Sequence, residues 1–339
     1  MIRSASEVPL RAIIVSACPA HCQFCHFEGG PRNGRELSIE EIDAMSEVAA
    51  SLAVQQIQLT GGEPLLRRDV PQIIKRILDR HPSAKVSVTT NGFFLDANLG
   101  RVLSSSGLSK MNVSLVPWLF EVCGIDKPEE VESGIERLVR LLSPFAERGS
   151  LEFNFTVMRD WLDYLPYLLA ASARFHVLLD LMTVGWHPGF RDEWYAAAYV
   201  EPATVVKSCL AMVEDVALRF GATPYLELVS QDRVLAKLKD PAISRQFHLR
   251  ECPDCPFSAR CPETSCAVRA YPGWRVGTCL LDLQRGTDTG AATERRFRQR
   301  IVQTYADISE AIDELAFLRF LRTDQFLQPD HGDATGPVA

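Results

Sequence analysis

The chain lacks three features that would assign it to common functional classes. None of its apolar runs approaches the roughly 18 uncharged residues of a membrane-spanning helix. The first ten residues include Glu7 and Pro9 where a secretion signal would have an apolar core. An excess of positive charge is also missing, because the formal net charge is −7, which disfavours a surface that coats nucleic acid. We therefore expect a protein without a membrane or nucleic-acid partner.

Cysteine, in contrast, is abundant, with 10 residues in a chain of 339. Cys18, Cys22 and Cys25 have C-x3-C-x2-C spacing and follow an apolar run, 12–15, that predicts a strand. This spacing suits neither a zinc ribbon nor a thioredoxin-type redox pair. It suits a loop whose thiolates bind three irons of a cubane cluster and leave the fourth iron open to a small molecule. The alternative is a chance group of buried or zinc-binding thiols. Clustered cysteines without a secretion signal indicate the reducing cytoplasm.

A second motif, Leu59-Thr60-Gly61-Gly62-Glu63-Pro64, lies at the end of another predicted strand. Together with the cysteine loop it resembles the radical S-adenosylmethionine (radical SAM) enzymes. The resemblance implies a [4Fe-4S] cluster on the three cysteines, with Phe24 beside the adenine of S-adenosylmethionine. It also implies that Gly61, Gly62 and Glu63 hold the amino group of the methionine part. Glycines let the backbone approach a ligand closely, and carbonyls with a carboxylate suit an ammonium group.

Strand and helix patterns alternate over residues 11–183. Six such units predict an α/β fold with a parallel sheet and right-handed crossovers, as in the partial (β/α)6 barrel of the resembled family. The predicted strands are 11–16, 55–60, 86–90, 110–116, 151–158 and 177–183, and the predicted helices are 38–52, 69–80, 96–106, 128–148 and 163–174. The motifs fall at the carboxyl ends of these strands, where functional residues of barrels gather.

We divide the chain into a barrel over 1–220, an auxiliary-cluster region with a C-terminal helix over 221–328, and a disordered tail over 329–339. The helix is predicted from an apolar stripe between Glu294 and Arg322. Cys123 and Cys209 have apolar neighbours and are expected in the core.

Four segments resemble the GTP cyclase of molybdenum-cofactor biosynthesis, namely 59–69, 89–92, 112–115 and 180–185. By that resemblance Ser114 and Met182 would contact S-adenosylmethionine, and Thr90 or Thr89 would lie near the ligands. Asn91 is a further candidate for cofactor binding. Arg11 matches an arginine that the cyclase uses on GTP.

Two of the chain's departures from the cyclase pattern replace a cationic residue. Gln58 stands in place of a GTP-contacting arginine, and Glu152 stands in place of a lysine. A carboxylate beside a triphosphate is unfavourable in a partly dry pocket. We therefore expect Arg11, Gln58 and Glu152 to meet a small polar metabolite, such as a sugar, aminosugar or nucleoside, in a specialised biosynthetic pathway. Peptide modification and GTP cyclisation remain alternatives.

A second set of cysteines lies towards the end of the chain and comprises Cys252, Cys255, Cys261, Cys266 and Cys279. Their spacing resembles the auxiliary-cluster (SPASM/twitch-like) segments of radical SAM enzymes and implies a second [4Fe-4S] cluster. Five thiols exceed the four that one cubane needs, so an unligated Cys261 or Cys266 could donate a hydrogen atom to a substrate radical. Glu152 is the other catalytic candidate. A four-cysteine zinc site is the alternative.

The resemblance also implies a mechanism. S-adenosylmethionine chelates the open iron, and an electron from the reduced cluster cleaves its S–C5′ bond. The resulting 5′-deoxyadenosyl radical removes a hydrogen atom from the substrate. Such an enzyme needs a reducing partner, such as flavodoxin or ferredoxin.

Overall fold

A computed structural model of the chain describes residues 7–29, 34–220, 224–239, 254–257, 260–261, 267–279 and 293–313. Cys252, Cys266 and the predicted tail 329–339 lie outside these residues. Within them, no helix has both the length and the apolar character needed to cross a membrane.

The described strands form a single eleven-stranded sheet, in which β1 to β6 are neighbours in chain order. These six strands are mutually parallel, which confirms the predicted α/β fold. The strands are β1 Leu10–Val15, β2 Gln56–Gly61, β3 Lys85–Thr90, β4 Lys110–Ser114, β5 Leu151–Val157, β6 Leu178–Thr183, β7 Asp215–Phe220, β8 Pro224–Ser230, β9 Arg233–Lys239, β10 Val268–Tyr271 and β11 Arg275–Gly277.

Most of the helices follow the strands of the parallel sheet in the order expected for β/α units. They are α1 Ile39–Ser51, α2 Val70–Arg80, α3 Ala97–Ser105, α4 Pro117–Val122, α5 Val131–Leu141, α6 Ser143–Ala146, α7 Leu165–Phe175, α8 Asp192–Ala198, α9 Pro202–Cys209 and α10 Glu294–Asp313. Cys123 and Cys209 are buried in the core, as predicted. Burial raises the pKa of the Cys209 thiol to about 12, so this thiol is inert at neutral pH.

The strands separate apolar from polar side chains by their two-residue period. In β5, Phe153 and Phe155 are fully buried in the core, whereas Glu152, Asn154 and Thr156 are half-buried on the opposite side. We call the side that carries these alternating polar residues the inner face. The registers of the neighbouring strands place Arg11, Gln58, Thr89, Asn112 and Asp180 on this same face.

The helix boundaries test several local predictions. A reciprocal pair of hydrogen bonds between Ser38 and Glu41 forms a capping box at the start of α1. Asp69 occupies the N-cap position of α2 without capping it, because its carboxylate binds Arg67 at 2.6 Å instead. The single helix predicted over 128–148 is wrong, since α5 ends at Leu141 and α6 begins at Ser143. Pro144 lacks the N–H that would continue the first helix.

The strands that extend the sheet at both edges were not predicted. β7, β8 and β9 form an antiparallel extension, and β9 pairs in parallel with β6. β8 and β9 are joined by a two-residue turn, Gln231-Asp232. Both residues have positive φ, as a type I′ turn requires. At the other edge β10 pairs in parallel with β1. The predicted domain boundary at 220 falls between two paired strands and stays a prediction.

The described part of the C-terminal helix, α10, packs on the barrel. Phe297, Ile301 and Tyr305 of the predicted apolar stripe are buried, and the Tyr305 hydroxyl donates to the Val8 carbonyl oxygen at 3.1 Å. For these positions the predicted amphipathic packing is confirmed.

Candidate active site

The turn after β2 interlocks with the loop that contains the first three cysteines. The Gly62 N–H donates to the Val15 carbonyl oxygen at 2.8 Å, and the Glu63 N–H donates to the Ala17 carbonyl oxygen at 2.8 Å. A Cβ on Gly62 would lie 2.1 Å from the Ala17 carbonyl oxygen, and one on Gly61 would lie 2.2 Å from that of Val15. Only glycine can occupy these positions, because the two backbone segments touch.

Glu63 joins this turn to the end of β3. Its side chain is fully buried and accepts hydrogen bonds from the Thr90 hydroxyl at 2.6 Å, the Asn91 N–H at 2.7 Å and the Leu65 N–H at 3.0 Å. Burial raises the pKa of this carboxyl group above its ordinary value, although the three donors act in the opposite direction. The structure therefore gives the carboxylate of Glu63 a positioning role within the protein.

The sulfurs of Cys18 and Cys25 accept hydrogen bonds. Asn91 Nδ2 donates to Cys18 Sγ at 3.4 Å, and the Phe27 N–H donates to Cys25 Sγ at 3.3 Å. Such donors stabilise thiolates and tune the reduction potential of a cluster. Cys18, Cys22 and Cys25 are all half-buried.

This donor set fits an iron–sulfur cluster. Among the described residues no three His, Cys, Asp or Glu side chains converge on a single ion. In a cubane cluster each of the three thiolates binds a different iron. The three sulfur atoms therefore do not need to meet at one point. Three further residues were expected from sequence to contact S-adenosylmethionine. Phe24 packs against the core cluster, and Ser114 and Met182 lie at the carboxyl ends of β4 and β6.

Arg67, which follows the Gly-Gly-Glu turn, connects this turn to backbone near the cysteine loop. Its guanidinium is buried and donates to the carbonyl oxygens of Leu37 at 2.6 Å and Ile14 at 3.1 Å, while Asp69 balances its charge.

Arg11 lies on the inner face of β1 and is paired with Glu28. One carboxylate oxygen of Glu28 is 2.8 Å from Arg11 Nη2, and the other is 2.8 Å from Nε of the fully buried Arg269. Burial alone would raise the pKa of Glu28, but the two guanidinium groups hold it below its ordinary value. The charge of Arg11 is thus compensated within the protein. Its Nε atom is buried without a partner among the described residues.

The inner face continues as a row of polar side chains across the sheet. Gln58 Nε2 donates to the Thr89 hydroxyl oxygen at 2.6 Å, and Asn112 Nδ2 donates to the same oxygen at 3.4 Å. The Asn112 Oδ1 atom is buried and has no hydrogen-bond partner within the described residues. Gln58, which was expected to contact substrate, is therefore tied into this row.

Two ion pairs complete the inner face. Lys110 on β4 pairs with Glu152 on β5, and Lys239 on β9 pairs with Asp180 Oδ2 on β6 at 2.5 Å. The other oxygen of Asp180, Oδ1, is buried and lacks a partner in the part of the chain that the structure describes. Glu152 therefore does not present an uncompensated carboxylate to the pocket, in contrast to the expectation from its sequence position.

The segment after β6 forms a wall against the cysteine loop. His26 Nε2 lies 2.9 Å from the carbonyl oxygen of Gly185, and the rings of His26 and His187 are 6.0 Å apart. His187 is buried, and burial followed by the charge of His26 lowers its pKa to about 4. It is neutral at physiological pH. The Gly189 N–H donates to His187 Nδ1 at 3.0 Å, so the proton of the neutral ring resides on Nε2.

The described auxiliary cysteines lie on segments that contact this same region. Cys255 and Cys261 are half-buried and flank Phe257 and Arg260, whose side chains pack on Trp186 with centroid distances of 5.8 and 5.0 Å. Trp186 belongs to the wall after β6.

Cys279 is also half-buried and directly follows Thr278. The Thr278 carbonyl accepts from Arg269 Nη1 at 2.7 Å. Because Arg269 also binds Glu28, this segment is linked to the cysteine loop.

The Radical SAM superfamily profile matches residues 12–144, which include the cysteine loop, the Gly-Gly-Glu turn and β1 to β4. The chain contains a radical SAM domain. This superfamily consists of enzymes, and it implies S-adenosylmethionine and a [4Fe-4S] cluster as cofactors for the radical SAM domain.

Two curated relatives carry the name Probable GTP 3',8-cyclase. The protein of Thermoplasma volcanium is 34% identical over 176 residues, covering 51% of this chain and 52% of the relative. That of Thermococcus kodakarensis is 37% identical over 155 residues, covering 44% and 48%. The chain thus spans about half the length of these relatives.

Among the solved structures that are similar to this chain, two align over most of it. Streptococcus suis SuiB bound to S-adenosylmethionine aligns with a TM-score of 0.56 at 12% identity, covering 84% of this chain and 63% of SuiB. Polyhistidine-tagged anSMEcpe with bound AdoMet aligns with a TM-score of 0.55 at 16% identity, covering 86% of this chain and 76% of that chain. At these identities the likeness concerns the fold alone.

The sequence did not single out Glu28, Arg269, Asn112 or Asp180. Glu28 and Arg269 are 241 positions apart in the chain, so no local pattern could pair them. A polar residue between two core positions of a buried strand was the available signal for Asn112 and Asp180.

Proposed function

We propose that this protein binds a [4Fe-4S] cluster through Cys18, Cys22 and Cys25 and uses S-adenosylmethionine to start radical chemistry on a small polar metabolite of the sugar, aminosugar or nucleoside type. The observation that supports the proposal most directly is the interlocked loop and turn. There, three half-buried thiols lie beside a glycine turn that admits no side chain.

When bound, the cluster and S-adenosylmethionine would supply a 5′-deoxyadenosyl radical able to remove a hydrogen atom from an unreactive carbon. The residues of the chain bind, orient and shield. Asn91 and the Phe27 N–H orient two thiolates, and Glu63 fixes Asn91. Beside the loop, the rings of His26 and Phe27 pack on the buried ring of His187, which favours the exclusion of water that radical chemistry requires.

The inner face supports a substrate without a triphosphate. Arg11, Lys110 and Lys239 project from this face, and each already has a carboxylate partner. A triphosphate would have to compete with Glu28, Glu152 and Asp180 for these cations, which is unfavourable in a site of low dielectric.

GTP 3',8-cyclisation is the second candidate, and the comparisons favour it more directly than they favour a sugar or an aminosugar. The relatives of Thermoplasma volcanium and Thermococcus kodakarensis both carry that activity in their names. Their similarity extends over about half of their length, so the substrate does not transfer with it. Peptide modification has support from the shared fold alone.

We further propose that the second cysteine set binds an auxiliary [4Fe-4S] cluster close to the substrate. The contacts of Phe257 and Arg260 with Trp186 support this location for Cys255 and Cys261. The contact of Thr278 with Arg269 supports it for Cys279. A reducing partner such as flavodoxin or ferredoxin would deliver the electrons.

The first test is anaerobic reconstitution of the wild type and of a Cys18/Cys22/Cys25→Ala triple variant, followed by a dithionite assay for 5′-deoxyadenosine. We expect about eight irons in the wild type and about four in the variant, with 5′-deoxyadenosine formed by the wild type alone. A Cys123/Cys209→Ala variant, which removes two core thiols, is the matched control and should retain its iron.

The outcomes separate the proposals. No iron and no 5′-deoxyadenosine from the wild type would refute the radical function. About four irons with bound zinc would reduce the second cysteine set to a structural site. Conversion of GTP to a cyclised product, with guanosine left unchanged, would decide for the second candidate.

A further inference from the structure

We infer that Asn112 and Asp180 form a two-point hydrogen-bond acceptor site on the inner face, and that this site selects a neutral or cationic substrate bearing donors, hydroxyl or amino groups, at two separate positions. This inference rests on the proposed function for the reaction that follows binding, and it adds the residues that choose the substrate.

The first acceptor is Oδ1 of Asn112. Asn112 is only 6% exposed, and it lies on β4 between Met111 and Val113, which are both fully buried in the core. Its Nδ2 group points along the inner face to Thr89, whereas Oδ1 has no partner in the described residues. A buried amide oxygen without a donor is costly to the fold. Its retention is explained if a ligand supplies the donor.

The second acceptor is Oδ1 of Asp180. Lys239 binds only the other oxygen of this carboxylate, so the pair is nearly neutral and still presents one buried acceptor to the inner face. A phosphate or carboxylate ligand would be repelled by this oxygen, while a hydroxyl or ammonium group would donate to it.

The spacing of the two acceptors indicates the size of the ligand. β4 and β6 are separated by β5, so the two residues are about 10 Å apart across the sheet, and the register offsets them by two residues, or about 7 Å, along it. One hydroxyl group cannot reach both oxygens. A sugar, aminosugar or nucleoside with donors at opposite ends can.

The same face supplies one matching donor. Arg11 Nε is buried without a partner among the described residues, while the Arg11 charge is held by Glu28. The inner face therefore combines two acceptors and one donor around a charge-compensated interior. This is the pattern expected of a pocket for a polar, uncharged ring rather than for a triphosphate.

The test uses the reconstituted protein with saturating S-adenosylmethionine and measures binding of glucosamine and of guanosine by anaerobic calorimetry. We expect at least one probe to bind the wild type, with affinity reduced about tenfold or more in Asn112→Leu, which removes the acceptor. Thermal unfolding of Asn112→Leu should stay at or above that of the wild type, because the orphaned oxygen is removed.

The matched control is Ser46→Ala. The Ser46 hydroxyl is buried but donates to the Ile42 carbonyl oxygen at 2.6 Å within α1, away from the inner face. Its loss should lower the unfolding temperature and leave probe binding unchanged, which is the opposite pattern to that of Asn112→Leu.

Three results would overturn the inference. These are absence of binding by both probes, unchanged probe affinity in Asn112→Leu, and an equal loss of S-adenosylmethionine affinity in that variant, which would assign the acceptor to the cofactor. Formation of 5′-deoxyadenosine by the wild type without any probe is measured separately. If no 5′-deoxyadenosine forms, the proposed radical function is refuted. If only the binding results differ from those expected, the acceptor site alone is refuted.

Discussion

Glu28, three residues after the last cysteine of the loop, accepts a hydrogen bond from Nε of the fully buried Arg269 at 2.8 Å. The bond ties the cysteine loop to β10, on the far side of β1 from the Gly-Gly-Glu turn. Since Arg11 occupies the other oxygen of Glu28, a single carboxylate compensates two guanidinium groups at the base of the candidate active site.

The first prediction concerns the stability provided by this bridge. In Glu28→Gln, two largely buried guanidinium groups lose their counter-charge, so the free energy of unfolding should fall by about 3 kcal/mol or more. Urea denaturation measures the change. The matched control is Glu136→Gln, which breaks an exposed i,i+4 pair with Arg140 on α5 and should cost less than about 0.5 kcal/mol. Equal effects of the two substitutions would show that Glu28 does not act as a buried bridge.

The second prediction concerns pH. The pKa of Glu28 in the folded protein lies below its ordinary value of 4.5, since the guanidinium groups outweigh burial. A depressed carboxyl pKa contributes stability that is complete above the unfolded value and is lost as the pH falls through the folded value. The difference in unfolding free energy between the wild type and Glu28→Gln should therefore be constant from pH 7 to about pH 5 and shrink below about pH 4. A difference that grows on acidification would contradict the assigned sign.

The third prediction concerns Glu63. In Glu63→Gln, the amide NH2 must face at least one of the three donors that the carboxylate accepted, so the protein should lose about 1–3 kcal/mol of unfolding free energy. S-adenosylmethionine affinity should fall as well, because Asn91 and the Gly-Gly-Glu turn lose their common anchor. Equilibrium dialysis and thermal unfolding measure the two effects.

A matched control for Glu63 is Glu130→Gln. The Glu130 carboxylate also accepts two backbone N–H groups, from Asp126 at 2.8 Å and Lys127 at 3.0 Å, but it does so at an exposed site. Its substitution should change stability little and affinity not at all. An unchanged affinity in Glu63→Gln would remove Glu63 from the positioning role.

The sequence was sufficient for the parallel sheet, and it proposed a candidate site, for reasons visible in particular residues. The alternation of β5, with Phe153 and Phe155 between polar neighbours, is a local signal of a strand with one face in the core. The loop around Cys18 and the turn at Gly62 were likewise predicted from residue spacings within short segments.

What the sequence could not provide depends on contacts between distant segments. Arg67 reads as a helix-start arginine, but its partners, the carbonyls of Ile14 and Leu37, lie 53 and 30 positions away. Glu152 reads as an unpaired carboxylate because Lys110 pairs with it only through the register of β4 and β5. Long-range pairing changes the role of a charged residue, and residue type alone does not reveal the pairing.

The last prediction compares a glycine that packs against backbone with a glycine that packs against a side chain. In Gly62→Ala the new Cβ would lie 2.1 Å from the Ala17 carbonyl oxygen, and backbone cannot yield as a flexible side chain can. The turn and the cysteine loop must move apart, so we expect loss of S-adenosylmethionine binding and reduced iron incorporation at the first cluster.

The matched control is Gly100→Ala on α3. The nearest atom to the new Cβ is in the flexible Leu142 side chain, at 3.3 Å, and the gain in helix propensity of up to about 1 kcal/mol opposes the slight crowding. Iron content per chain and S-adenosylmethionine affinity should therefore be unchanged in Gly100→Ala and lost in Gly62→Ala. Full binding by Gly62→Ala would show that the loop and the turn can separate without harm to the site, and it would remove the interlocked pair as the element that holds the cofactor.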